Sequence, residues 1–154
     1  VLHLIPAPLH RVLYRLADRG RRLWWRWRKP NRSSVIVVIF DHAGRVLLVR
    51  HSYGRPLWTV PGGGMDKGED PAVSAAREVR EELGCELAGL TALGPFQAYD
   101  SGSHDCRHVF AARAVGEPEA DQREIVAVRW FDPAALPADT SPLARRFIRQ
   151  ALGS

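Results

Sequence analysis

The 154-residue chain is 45% apolar and holds two cysteines, which suits one core of ordinary size, signals neither a disulfide framework nor a structural zinc site, and leads to the expectation of one catalytic domain. Its net charge of +5 is uneven: residues 1–32 carry nine Arg or Lys against one acid, Asp18, while residues 33–154 carry 13 bases against 16 acids. The positive charge thus belongs to an N-terminal arm and does not mark the whole chain as a nucleic-acid binder. No apolar run is long enough for a membrane-spanning helix, and Val1–Pro6 lacks the basic region and cleavage site of a signal peptide, so a cytoplasmic protein is expected.

In chain order, residues 9–28 read as a basic amphipathic helix, with Leu9, Val12, Leu13, Leu16, Leu23, Trp24 and Trp27 recurring at helical spacing. Gly20 interrupts it, and Lys29-Pro30 ends it. The apolar stripe calls for a cover. Packing in cis or across a homodimer is expected ahead of membrane-surface or nucleic-acid contact. Domain organisation is therefore read as arm 1–32 and catalytic domain 33–154.

From Val35 the period changes to two. Val35–Phe40 and Val46–Arg50, joined by Asp41-His42-Ala43-Gly44, predict a hairpin, apolar on both faces and hence central in a covered sheet. Leu57–Val60 predicts a further short strand before Pro61 and three glycines. Asp70-Pro71 opens a helix as N-cap and first helical residue, with Gly84 beyond its end. Strands are expected around 90–97, 107–114 and 125–131, a short helix after Asp132-Pro133, and a last helix of about ten residues capped by Ser141-Pro142. The order predicts an α/β (α+β) sandwich, a mixed β-sheet between helices.

The chemistry lies in residues 61–85. On a helical wheel Val73, Ala76, Val79 and Leu83 form one apolar arc, and Glu78, Glu81 and Glu82 form another arc about 100° wide. Like charges so spaced destabilise a helix, so a cation should compensate, and Mg²⁺, with Mn²⁺ as substitute, suits an all-oxygen set. Gly62, Gly63 and Gly64 remove side chains where the backbone must bend close to an ion or to the helix start. Glu69 and Arg77 are placed to pair and brace the loop against the helix, leaving the other three acids to metal.

In Gly63, Glu69, Arg77-Glu78-Val79, Glu81-Glu82 and Gly84-Cys85, without insertion, the sequence resembles the Nudix hydrolase superfamily over residues 33–150. The resemblance implies a Mg²⁺-dependent hydrolase that cleaves a phosphoanhydride bond in a nucleoside diphosphate derivative or triphosphate. It implies Glu78 and Glu82 as direct metal ligands, Glu81 as a direct or water-mediated ligand, and the Gly62 carbonyl as a further contact. It also implies another acid from outside the signature, for which Glu124 stands best as ligand or general base, ahead of Asp121 and Glu119. Arg50 and Arg55, with His51 nearby, could hold a diphosphate, Tyr99 could stack on a base, and polar residues 100–108 could form a specificity loop. The family's proline and tyrosine substrate markers are not in register, since Ser101 stands sixteen residues beyond Cys85. Substrate identity thus stays open among ADP-ribose-like, sugar-nucleotide and nucleoside triphosphate compounds. A nucleotide sensor without turnover and an RNA-associated pyrophosphatase are the alternatives.

Overall fold

A strand apolar on both faces must be covered twice, and the fold is arranged around two of them. The computed structural model describes residues 32–100 and 103–153. Its elements are β1 (Arg32–Phe40), β2 (Val46–His51), β3 (Gly62–Gly64), α1 (Pro71–Leu83), β4 (Glu86–Asp100), β5 (Ser103–Val115) and β6 (Ile125–Phe131), then a 3-10 turn at Pro133–Ala135 and α2 (Pro142–Leu152). The helix expected over 9–28 lies outside the described residues. β1 opens at Arg32, one residue inside the arm as drawn from the sequence. No helix of the described residues is long and apolar enough to cross a membrane.

The strands form one mixed sheet in the order β4-β5-β1-β2-β6, with β3 paired to β1. β1 runs parallel to β5 from Arg32↔Asp105 to Phe40↔Arg113, and the other pairings are antiparallel. The sheet has two covered faces. Val35, Val37, Ile39, Leu47 and Val49 pack with Ala75, Val79 and Leu83 of α1, whereas Val38, Val46, Leu48, Trp58 and Val60 pack with Ala144, Phe147 and Ile148 of α2. Each large aliphatic side chain so removed from water contributes roughly 1.5–3 kcal/mol. The mixed sheet between helices is the architecture that the sequence predicts.

The β1–β2 hairpin is a partial one. The two strands meet at Phe40↔Val46, beside a turn in which Gly44 takes the left-handed φ of 76°. Residues 58–64 then enter between them. Val49 and Thr59 exchange N–H···O bonds of 2.8 and 3.0 Å, Val37 N–H donates to the Pro61 carbonyl at 3.0 Å, and β3 pairs Gly62–Gly64 with Ile36–Ser34. The strand expected at Leu57–Val60 is therefore reduced to isolated bridges, and the regular pairing falls on the glycines. An added Cβ at Gly62 would overlap the Val35 carbonyl, so the close approach requires glycine. This wedge carries the glycine segment into the middle of the sheet, directly beneath α1.

Helix α1 begins and ends where the sequence places it. The Asp70 carboxylate accepts from Ala72 and Val73 N–H at 2.8 and 3.2 Å, and Gly84 closes the far end in the left-handed region with its N–H on the Arg80 carbonyl. Its buried arc is rotated from the expected one. Val73 is 61% exposed, and the buried residues are Ser74, Ala75, Val79, Glu82 and Leu83. Strands β4 and β5 outrun expectation at both ends, so residues 103–108 of the proposed specificity loop lie in β5. The last helix is capped by Ser141 Oγ, 3.1 Å from Ala144 N.

Candidate active site

The rotation of α1 has its main consequence at Glu82. This carboxylate is only 4% exposed, its Oε2 has no hydrogen-bond partner, and the Gly62 N–H donates to it. Burial, then the charges of Glu78, Glu124 and Asp121, hold its pKa well above the usual carboxylate range. Glu78, one helical turn away, is also raised, by burial first and by Glu81 and Glu124, although Arg77 opposes the shift. A buried anion with an unpartnered oxygen among other anions is a costly arrangement. A cation supplied from outside would relieve it.

Arg77 organises the rest. Its Nε and Nη2 grip Glu69 Oε1 and Oε2, both at 2.9 Å, so the pair that the sequence predicts forms, and does so as a bidentate fork. Glu69 is thereby held down at about 2, with the Asp66 N–H adding a bond of 3.0 Å. Arg77 Nη2 also donates to the Gly64 carbonyl at 3.1 Å and to Ser74 Oγ at 3.3 Å. The guanidinium does more than brace the loop, because Nη1 reaches Glu78 Oε1 at 2.8 Å and Glu81 Oε2 at 3.4 Å. Sequence reasoning left those two acids free. In this state the arginine fork shares them.

Against β3, a Cβ on Gly63 would overlap the Glu78 carboxylate. The second glycine of the triplet is thus the floor on which that side chain lies. Gly63→Ala should leave melting little changed, because only the end of a flexible side chain must move, yet lower kcat by about tenfold through displacement of Glu78. Thermal melting and steady-state kinetics on one preparation check this, and an unaltered kcat would remove Glu78 from the site.

The loop before β6 completes the cluster. Glu119 N–H and Asp121 N–H donate to the Leu83 and Glu82 carbonyls at 2.9 and 3.2 Å, tying the loop to the last turn of α1. Asp121, weighed from the sequence as a stand-in for Glu124, has another use: its carboxylate accepts from the N–H groups of Arg123, Glu124 and Ile125. Sequence reasoning passed over this role. The Asp121-Gln122-Arg123-Glu124 run ahead of a strand is the composition of an Asx turn and could have signalled it. His51, at the end of β2, is half-buried, with its Nδ1 atom buried and unpartnered. Burial depresses its pKa, against the pull of the Asp121 charge.

The expected substrate-binding residues are not gathered here. Arg50 forms an ion pair with Asp139 and lies 4.5 Å over the Trp58 ring, on the α2 face of the sheet. Arg55 is exposed in the β2–β3 connection. Tyr99 pairs in register with His104 near the β4–β5 tip, and its side chain lies outside the described residues. Glu69, Arg77, Glu78 and Glu81 form one hydrogen-bonded group, with Gly62 and Glu82 beneath it. Glu124 lies within electrostatic reach of Glu78 and Glu82.

The donor set tests well for a hard divalent cation. It is all oxygen, it contains an orphaned buried carboxylate atom on Glu82, and the Gly63 floor makes room for the Glu78 carboxylate. Among the described residues no three acid, His or Cys groups already converge to metal-ligand spacing, consistent with Arg77 drawing on Glu78 and Glu81.

Residues 30–151 match the NUDIX domain profile. The chain belongs to the NUDIX domain family. Among its relatives, ADP-ribose pyrophosphatase of Mycobacterium tuberculosis is 36% identical over 107 residues, covering 64% of this chain. The chain spans about half of that protein's length, 52%. An RNA pyrophosphohydrolase of Gluconobacter oxydans is 36% identical over 127 residues, with 70% and 75% of the two chains covered. In structure, the MutT NUDIX hydrolase from Burkholderia pseudomallei superposes with a TM-score of 0.71 at 28% identity, covering 79% of this chain and 98% of the other. The signature residues, Gly63 to Cys85, run from β3 through the loop and α1 to the two residues that follow the helix.

Proposed function

We propose that the chain is a Mg²⁺-dependent pyrophosphohydrolase that cleaves a phosphoanhydride bond in a nucleoside diphosphate derivative or nucleoside triphosphate, releasing a nucleoside monophosphate or phosphate product. The observation that carries the reading is the buried, half-unpartnered Glu82 carboxylate set against Glu78 and Glu124. Such a group is a liability in a purely structural helix and useful beneath a polyanionic substrate that must arrive with its counterion. Glu78, Glu81, Glu82 and the Gly62 carbonyl would hold the ion, with Mn²⁺ as a substitute. When bound, it would neutralise phosphate oxygens and acidify water.

The chain's own residues then do three things. Arg77 locks Glu69 and the loop to α1, fixing where the acids stand. Glu82, buried on α1, keeps a strong local field because little water screens it. Glu124 approaches from a separate element and could take a proton from the attacking water or serve as a further ligand. No covalent nucleophile is required, since a nucleoside monophosphate leaves readily.

Substrate choice within this class is a proposal resting on relatives. ADP-ribose-like compounds, sugar nucleotides, nucleoside triphosphates and RNA bearing a 5′-triphosphate belong in one assay panel, run with Mg²⁺ and with EDTA. Release of phosphate or nucleotide from at least one, abolished by EDTA, is expected. Tight nucleotide binding without turnover across the whole panel would instead assign a sensor.

A further inference from the structure

Between Ala120 and Ile125 the chain makes a turn with more internal support than a connecting loop needs. Asp121 Oδ1 accepts from Arg123 N at 3.0 Å, Glu124 N at 3.0 Å and Ile125 N at 2.8 Å, and Oδ2 adds Glu124 N at 3.2 Å. Gln122 takes the left-handed φ of 62°, uncommon outside glycine, and its N–H closes the turn on the Ile125 carbonyl at 2.9 Å. The turn is also moored at both sides. Asp121 N–H holds the Glu82 carbonyl at 3.2 Å, and Ser52 N–H, just past β2, holds the Glu124 carbonyl at 2.7 Å.

The peptide of Glu124 is thus gripped on its N–H by Asp121 and on its C=O by the end of β2, while Asp121 itself hangs from the Glu82 peptide. We infer that Asp121 is a positioning residue that fixes Glu124 relative to Glu82 through this turn, a role resting on the hydrolase reading above. Its carboxylate is committed to backbone amides. What it supplies is geometry: charge-assisted bonds to three successive N–H groups leave the Glu124 Cα one place to stand. Bond count and direction matter here more than the charge, because Oδ1 alone receives all three amides.

Asp121→Ala and Glu124→Gln are each expected to lower kcat about a hundredfold at saturating Mg²⁺ with KM little changed, since an ångström of misplacement is enough for such a loss. The double variant should fall no further than Glu124→Gln alone, because residues that act one through the other are non-additive. Asp121→Asn keeps the Oδ1 acceptor and should return kcat to within a few-fold of the unsubstituted protein. Mn²⁺ affinity, measured calorimetrically without substrate, should change in Asp121→Ala as it does in Glu124→Gln. Should Asp121→Ala fail to fold, Asp121→Ser, which can satisfy at most part of the turn, takes its place in the cycle. Additive losses, or an Asp121→Asn as poor as Asp121→Ala, would overturn the positioning role. Glu82→Gln run alongside separates the two layers. If the unsubstituted protein turns over no member of the substrate panel, the hydrolase reading falls; if Glu82→Gln abolishes turnover while Asp121→Ala and Glu124→Gln do not, only the roles of Asp121 and Glu124 fall.

Discussion

Glu82→Gln should cut kcat by about a thousandfold or more while raising the melting temperature of the metal-free protein. The two halves have one cause. The amide is almost the same size and can keep its place beneath β3, so packing is conserved, but the buried anion with its unpartnered Oε2 is gone. The pH dependence follows from the raised pKa. A carboxyl whose folded pKa lies above its ordinary 4.5 holds its proton longer in the native state than when unfolded, so its contribution to stability is present below 4.5 and is lost as pH rises through the folded value. Metal-free protein should therefore melt at lower temperature as pH rises above 4.5, and Glu82→Gln should flatten that slope. Activity should move the opposite way, rising as the carboxylate forms. Calorimetric melting across pH, beside kcat at saturating Mg²⁺, tests both. A variant with native kcat, or one that melts well below the parent, would overturn the role given to Glu82.

The signature was legible because it is local. Asp70, Pro71 and Gly84 announce the ends of α1 through capping chemistry that depends on neighbours alone, and they stand where expected. The Glu69–Arg77 pair was likewise readable, from residues eight apart on a loop and the helix it joins. What was not legible depends on contacts between distant segments. The wheel took Val73 for a core residue, yet the sheet meets α1 on the side of Ala75, Val79 and Glu82, and nothing within the helix says which side that will be. The β1–β2 pairing failed as a full hairpin because residues 58–64 come between the strands, and the turn at Asp41–Gly44 carries no trace of that insertion. Arg50 was drawn toward the phosphates by its place at a strand end; the alternation that puts Val49 on the α1 face sends Arg50 to the other, where Trp58 and Asp139 take it up. Glu124 was singled out by position alone; the turn in which Asp121 holds its backbone was not foreseen, because it closes on the carbonyl of Glu82 and the amide of Ser52, both far away in sequence.

Arg77→Ala should lower the melting temperature by on the order of 5–10 °C, the largest stability effect expected of any single change in the site. The reason is the number of groups that meet on one guanidinium. Nε is taken by Glu69, Nη2 by Glu69, Gly64 and Ser74, and Nη1 by Glu78 and Glu81. Removing it leaves three carboxylates facing one another in a partly desolvated pocket and unties the glycine loop from α1. Because every donor already has an acceptor, none is left over for a phosphate, and KM for the nucleotide should change little. The Mg²⁺ concentration needed for half-maximal rate should shift instead. Arg77→Lys should recover only part of the loss, since an ammonium cannot reproduce the fork on Glu69. Acid provides an independent check. Glu69, held at about 2 in the native state against an ordinary 4.5, adds stability that is present above 4.5 and disappears as pH falls toward 2. The melting gap between the parent and Arg77→Ala should therefore narrow as pH drops through that window. A gap that stays constant, together with a tenfold rise in KM and no change in Mg²⁺ requirement, would place Arg77 on the substrate and not on the loop.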